Sequence, residues 1–444
     1  MGESRPNGRA TPYVGGVSCG ARSMGVPVSS GWVDLFRKLL VVVLATVVLL
    51  GGGTVSAQAW EPDTGPMFNN PMGNRASQDR TMVHVRRAIN HAPRHSLIRI
   101  ATYSLDREDI TKALLKACKR KVAIQLVLND NWTSGQTRTM RSKFGTNIDP
   151  HFDDGCHRRD PEKFAQPWPY PSFVKICGGA CRLNRPLGNQ HAKFFLFSQT
   201  GTARDVVMVG STNLTGYAAR THWNDLFTMN NRPISYQAYS TIFRELAMDV
   251  PVVEPHVLVV DGDITSEFGA IVPRINKEND PIWLRLNQVD CRAAAGYGQH
   301  RRTVIRVMMY AWVGDRGQYL AQKSAQLDRA GCVVRVILSG AGSRVKKILR
   351  RGGVQMRSAD LDTDHNKETG FDETPWEHFT HEKWMSLNGT YAGAPLRVVW
   401  TGSENWSDKS EVNDEVTVTI PRRGAHKVYA NHFERLWKRN TRRL

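Results

Sequence analysis

His191-Ala192-Lys193-Phe194-Phe195 and His381-Glu382-Lys383-Trp384-Met385 carry one signature, an imidazole and an ammonium two residues apart at the head of an apolar run. Moving outward from each, the neighbours match. Gly210-Ser211-Thr212-Asn213 follows the first and Gly402-Ser403-Glu404-Asn405 the second. Asn224-Asp225 and Asn413-Asp414 come next, then a Tyr-x3-Phe-x2-Leu helix at Tyr239, Phe243, Leu246 and at Tyr429, Phe433, Leu436. Ahead of the motifs, Ile98-Arg99-Ile100-x-x-Tyr103 matches Ile305-Arg306-Val307-x-x-Tyr310, and Val122–Leu128 matches Cys332–Leu338. The copies are offset by 190 residues at His, 192 at Asn213, 189 at Asp225 and 190 at Tyr239. Features of different composition held within three residues of one register mark an internal duplication.

Each copy alternates strand-like and helix-like stretches. Ile110, Ala113, Leu114 and Ala117 make one apolar helical face, followed by the strand-like run Val122–Leu128. This alternation predicts an α/β fold. Domain boundaries are expected at 60–270 and 271–444, with the Pro- and Gly-containing stretch around 250–285 as the linker.

Residues 1–59 have the form of a secretory signal. Arg37 and Lys38 precede the apolar run Leu39–Leu50, and Ala57-Gln58-Ala59 supplies a small-residue cleavage site. The run is shorter than the ~20 residues a membrane span needs. Cleavage near Ala59 and secretion are therefore expected, with an uncleaved anchor as the alternative. Six cysteines lie beyond Ala59: Cys118, Cys156, Cys177, Cys181, Cys291 and Cys332. In an oxidising compartment they allow up to three disulfides. Cys156-His157 with Cys177 and Cys181 fits no common zinc spacing, so no metal or cofactor is expected.

The chain of 444 residues has 60 Lys+Arg against 41 Asp+Glu, a formal charge of +19, and is 41% hydrophobic. It buries a core, so wholesale disorder is excluded. Residues 1–59, with five basic residues against Glu3 and Asp34, account for only three units of that net charge. The excess points to a polyanionic partner: nucleic acid, an anionic membrane surface or another polyphosphate.

A strand projects alternate residues to one face, so His191 with Lys193, and His381 with Lys383, point together. Each half adds an amide, Asn213 or Asn405, and a hydroxyl, Ser211 or Ser403, as donors to an oxyanion. Asp225 and Asp414 are expected to hold an imidazole N–H and set its tautomer. A pseudo-twofold axis that joins the halves makes a phosphate clamp with two imidazoles. One attacks phosphorus and the other moves a proton to the leaving alcohol. The lysines and asparagines stabilise the charge that develops on the equatorial oxygens.

The two His-x-Lys…Gly-Ser-x-Asn sets resemble the paired motif of the phospholipase D superfamily, over about 80–440. The resemblance implies two pseudo-symmetric α/β sandwich domains with the active site at their interface. It also implies a metal-independent, two-step phosphodiester reaction through phosphohistidine. His191 is then the nucleophile and His381 the acid/base. Where the family motif has Asp, seven residues after His, this chain has Ser198 and Asn388, and extra residues lengthen both following hairpins (Gln199–Arg204 and Gly389–Pro395).

The expected activity is that of a secreted bacterial phospholipase D, which cleaves a phospholipid headgroup to phosphatidic acid and transfers the phosphatidyl group to alcohols. A monomer is expected. The alternatives are a secreted metal-independent nuclease and a degenerate protein that binds anionic surfaces. Charge favours nucleic acid. The acidic stretch Asp360–Glu377, read as a solvated loop or an acidic gate, and the tryptophans Trp168 and Trp376 lean towards lipid.

Overall fold

Leu97–Thr102 (LIRIAT) and Ala123–Asn129 (AIQLVLN) are buried at every position, as parallel strands covered on both faces must be. The computed structural model describes residues 60–149, 170–183, 188–269, 275–361 and 377–444. In it these two strands lie side by side and parallel, with Phe173–Cys177 parallel beyond them. On the other edge the pairing turns antiparallel. Phe194–Thr200, Ala203–Gly210, Asp225–Met229 and Gly65–Phe68 complete a seven-stranded mixed sheet.

The second sheet repeats this order. Gln355–Ser358, Val333–Ala341 and Val304–Trp312 are parallel; Lys383–Tyr391, Ala394–Gly402, Val416–Ile420 and Ile264–Phe268 follow antiparallel. The expected α/β architecture of two related halves is what forms. The longer hairpins are longer strands closed by tight turns, with Thr200 opposite Ala203 and Tyr391 opposite Ala394. Left-handed backbone at Gly201, Ala392 and Gly393 makes these turns.

The stretch expected as a linker contains the hairpin Val257–Asp261 and Ile264–Phe268, which pairs with Val416–Ile420 and so extends the second sheet. Its alternation, with Ile264 and Phe268 buried and Thr265 and Glu267 half-buried, is the period-two pattern of a strand packed on one face. The signal-like segment 1–59, Cys156-His157, Trp168, Trp376 and most of Asp360–Glu377 lie outside the described residues.

Alternation across the strands divides the apolar residues among three cores. Phe195 and Phe197 face an outer core of the first half, beneath helices Arg80–His91 and Glu108–Lys119. Met385 and Leu387 face its counterpart beneath Gly314–Arg329. Phe194, Leu196 and Trp384 turn the other way, into one core shared by both halves. The two Tyr-x3-Phe-x2-Leu helices, Pro233–Met248 and Arg423–Arg439, bury Tyr239, Phe243, Leu246 and Tyr429, Phe433, Leu436 in that shared core. Ala59–Leu444 accordingly forms one compact unit.

Two disulfides join described cysteines: Cys177–Cys181, and Cys291–Cys332 across 41 residues. Cys118 is disulfide-bonded as well.

A carboxylate lies inside the shared core. Asp225 accepts hydrogen bonds from the Tyr429 hydroxyl at 2.8 Å and from the Thr401 hydroxyl, both from the other half. Burial, helped by the nearby Glu382, pushes its pKa up. Removing one donor leaves a buried acceptor short of a partner, at about 1–3 kcal/mol. Tyr429→Phe keeps the ring packing, so its unfolding free energy in urea is expected to fall by roughly that amount. An unchanged midpoint would show that the bond contributes nothing to joining the halves.

Candidate active site

Each motif histidine is gripped by the opposite half. The His191 backbone N–H donates to the Asp414 carbonyl at 3.0 Å, and that of His381 to the Trp223 carbonyl at 2.9 Å. The side chains repeat the pattern. His191 Nδ1 lies 2.8 and 2.9 Å from the two oxygens of Glu415. His381 Nδ1 lies 3.1 Å from Asn224 Oδ1 and 3.1 Å from the Ser211 carbonyl. All of these side partners are acceptors, because the Asn224 amide nitrogen is committed to the carbonyls of Ala218 and His222. Both rings therefore carry their proton on Nδ1, which leaves the Nε2 lone pairs free.

These contacts correct the sequence expectation. Asp225 and Asp414 do not hold the imidazoles; Asn224 and Glu415 do. Matching Asn224-Asp225 with Asn413-Asp414 places the second copy two residues out of register. The backbone shows the true equivalence. Ser211 Oγ accepts from the Asp225 N–H and Ser403 Oγ from the Val416 N–H, both at 3.0 Å. Asp225 thus corresponds to Val416 and Asn224 to Glu415. Asp414 turns its carboxylate to the N–H of Cys181 at 2.6 Å, beside the Cys177–Cys181 disulfide, and burial pushes its pKa up to about 7.

Lys193 and Lys383 are buried, and each ammonium donates to the carbonyl of its own histidine. Each also lies over a tyrosine at the end of the first parallel strand of its half: Lys193 over Tyr103, just past Thr102, at 5.8 Å and Lys383 over Tyr310 at 4.8 Å. The same rings meet the imidazoles, Tyr103 against His191 at 5.8 Å and Tyr310 against His381 at 4.8 Å. Each His and Lys therefore does gather on one face, around a tyrosine. Asn213 Oδ1 accepts from Thr102 and Asn405 Oδ1 from the Ala311 N–H. Among the described residues this leaves both amide nitrogens as donors without acceptors. The serines act further back. Ser403 donates to Glu415 at 2.5 Å, so its hydroxyl braces the carboxylate that holds His191.

Charge is crowded here. Burial lowers the His191 pKa to about 4, with Lys193 and Lys383 adding to the shift and Glu415 opposing it. Burial also lowers Lys193 to about 7, and drives His381 and Lys383 well below their ordinary values. Burial alone would raise Glu415, but His191, Lys193 and the Ser403 hydrogen bond outweigh it and hold the group ionised. The result is a site in which cationic groups crowd one another and, of the two imidazoles, only His191 is held by a carboxylate. An anion that enters between the lysines relieves the repulsion.

At the positions of the missing motif aspartates, the Ser198 hydroxyl accepts from the Leu97 N–H at 2.9 Å, and Asn388 lies opposite Val304. Both sit where the first parallel strand of each half begins, remote from Tyr103 and Tyr310 at its far end. Their change leaves the imidazoles and ammoniums undisturbed. Four site residues escape the sequence reading: Glu415, Asn224, Tyr103 and Tyr310. The tyrosines stand at matched repeat positions, and counting on from Gly-Ser instead of matching Asn-Asp finds the other two. His222 also belongs to the surroundings, its ring stacked on His381 at 4.9 Å.

No curated protein sequence matches the chain. Among solved structures, phosphatidylserine synthase of Haemophilus influenzae Rd KW20 is similar at 10% identity and TM-score 0.50, over 87% of this chain and 88% of that one. Nuc of Salmonella typhimurium, a phospholipase D family member, matches at 17% identity and TM-score 0.27, over 41% of this chain and 98% of its own. Against polyphosphate kinase of Porphyromonas gingivalis (12% identity, TM-score 0.47) the match covers 84% of this chain but only half of that longer one. At 10% identity the likeness to phosphatidylserine synthase is one of fold. The model of the family described as cardiolipin synthase, PLD-like domain, matches residues 85–247 and again 300–437, one match for each half. The chain belongs to this phospholipase D-like family and carries its domain twice.

Proposed function

We propose that this protein is a phosphodiesterase that works through a phosphohistidine on His191. The observation that carries the reading is the asymmetry of the two imidazoles: an ionised carboxylate backs His191 and a neutral amide backs His381. A carboxylate on Nδ1–H raises the nucleophilicity of Nε2 and stabilises the ring as it takes on positive charge. The negative charge of the bound phosphodiester favours uptake of a proton from solvent on His381 Nε2. In the first step the His191 Nε2 lone pair forms a bond to phosphorus, the ester P–O bond breaks, and His381 gives that proton to the leaving oxygen. In the second step His381 takes a proton from water or an alcohol. The oxygen of that molecule attacks phosphorus, the P–N bond breaks, and His191 is regenerated. Lys193, Lys383 and the free amide groups of Asn213 and Asn405 stabilise the charge on the equatorial oxygens. No step calls on a metal or cofactor.

The finer reading is phospholipase D activity: cleavage of a headgroup to phosphatidic acid, with phosphatidyl transfer when an alcohol is present. A nuclease is the second reading, favoured by the chain's excess of positive charge. Incubation in chelator with phosphatidylcholine and ethanol, and in parallel with single-stranded DNA, separates them. Phosphatidylethanol marks the first and strand cleavage the second; binding without turnover marks a degenerate site. We also propose export, supported by the signal-like segment and the disulfides. Protein recovered from culture medium is expected to begin near Trp60, and an N-terminus at Met1 would refute cleavage.

Substrate labelled at phosphorus and quenched in the steady state is expected to leave label on His191. His381→Ala is expected to slow turnover by about 10²–10⁴-fold, the usual range for a general acid/base. Label on His381 in place of His191 reverses the assignment. The acid limb of kcat/KM is expected near pH 4, where His191 gains its proton and loses its lone pair. Because the Glu415 carboxylate raises the pKa of His191, Glu415→Gln is expected to lower the rate and move that limb to lower pH. A limb that stays in place, or moves up, would show that Glu415 does not act on His191.

A further inference from the structure

The fold brings together two basic stretches that lie far apart in sequence. Residues 343–358 contain Arg344, Lys346, Lys347, Arg350, Arg351 and Arg357; residues 438–443 contain Lys438, Arg439, Arg442 and Arg443; neither stretch holds an Asp or Glu. Edge pairing sets Arg357 opposite Arg443 and Ser358 opposite Arg442. The Arg357 guanidinium locks the join by donating to the Thr441 hydroxyl at 2.6 Å and carbonyl at 2.7 Å. Helix Ser343–Arg351 buries Val345 and Leu349 and leaves Arg344, Lys347, Arg350 and Arg351 exposed. None of these cations forms an ion pair with a described carboxylate. Such a concentration of like charge costs stability until counter-charge neutralises it.

The shape of the patch selects the partner. It follows the edge strand Gln355–Ser358 and the helix beside it, so it runs along the strands and away from the end that bears Tyr310 and Lys383. At the far end of the same strand, Gln355 and Arg335 line a groove of about 250 Å³ with Gln299, His300 and Arg302. Between them Trp437 is half-buried, 4.1 Å from the Arg335 guanidinium and 5.6 Å from that of Arg357. A bilayer that meets the catalytic end would touch only the near end of this track. Docking on a bilayer also calls for apolar side chains that insert, and neither stretch exposes a large apolar residue. Arginine forks spaced along a line, with planar amide and aromatic groups at one end, match the phosphates and bases of a polynucleotide strand.

We propose that this edge of the second half is a docking track for single-stranded nucleic acid. The track is a binding surface; it bears on the substrate only through the phosphodiesterase reading above, on which that extension rests. The test uses full-length His191→Ala protein, which binds without turnover, and a fluorescent 20-nucleotide DNA followed by anisotropy over a salt series. Binding is expected to weaken steeply with salt. Replacing Arg344, Lys347, Arg350 and Arg351 together by Gln is expected to lower affinity at least tenfold. It is also expected to flatten the log–log salt slope by about 0.7 for each phosphate that is no longer neutralised. Arg442→Gln with Arg443→Gln is expected to act in the same direction.

The control is the equally acid-free helix Gly135–Phe144 of the first half. Arg138→Gln, Arg141→Gln and Lys143→Gln together are expected to leave binding unchanged. Unchanged affinity in both track variants overturns the proposal. So does loss of binding to vesicles of phosphatidylserine and phosphatidylcholine while DNA binding persists, which would make the surface a membrane contact. The same substitutions in the His191 protein are assayed on bis-p-nitrophenyl phosphate, a diester too small to reach the track. Turnover of it is expected to be retained. Absence of turnover already in the unsubstituted protein would defeat the phosphodiesterase reading without touching the binding result.

Discussion

Everything at the site depends on one reciprocal arrangement, in which each imidazole is held by the half that does not contain it. His191 takes a backbone acceptor and a carboxylate from Asp414 and Glu415, and His381 takes a backbone acceptor and an amide from Trp223 and Asn224. Neither half alone can set the tautomer of its own histidine. The shared core beneath, with Tyr239, Phe243, Tyr429 and Phe433 interleaved, holds the halves in the register these bonds require. Asp225 adds a polar tie in that core, because a buried carboxylate with donors from the other half penalises any separation that would strip them away.

The second constraint is burial. Two lysines and two histidines are taken out of water around one site, and every pKa there moves towards the neutral form except that of Glu415. A site of this kind is destabilised when empty and relieved by an anion, which is the condition for strong electrostatic stabilisation of a phosphoryl group in transfer. Folding supplies the energy for this crowding through the apolar cores on either side. The single carboxylate then breaks the symmetry of an otherwise duplicated site and divides the roles of the two imidazoles.

Much of this is legible in the sequence because duplication writes each signal twice. The parallel strands, the closing helices, His191, Lys193, Asn213, His381, Lys383 and Asn405 all occupy positions that the repeat alone picks out. The imidazole partners are misread for a specific reason. Asn413-Asp414 copies the dipeptide Asn224-Asp225, yet strand pairing from Ser211 and Ser403 counts backbone hydrogen bonds, not residue names, and puts Glu415 opposite Asn224. The hairpin Val257–Phe268 resembles a linker in sequence because its flanking prolines and glycines read as loop, while its partner Val416–Ile420 lies some 150 residues further along the chain.

Local composition and periodicity therefore determined the fold class, the duplication and the chemical groups available for catalysis, since these depend on residue identity and on spacing within one element. Only the tertiary structure decided which acceptor holds which imidazole, that just one of them is a carboxylate, and that residues 343–358 and 438–443 form one basic surface. Those outcomes depend on register between strands and on contact between halves. Both are set by which side chains pack together in the shared core, and one-dimensional spacing does not encode that.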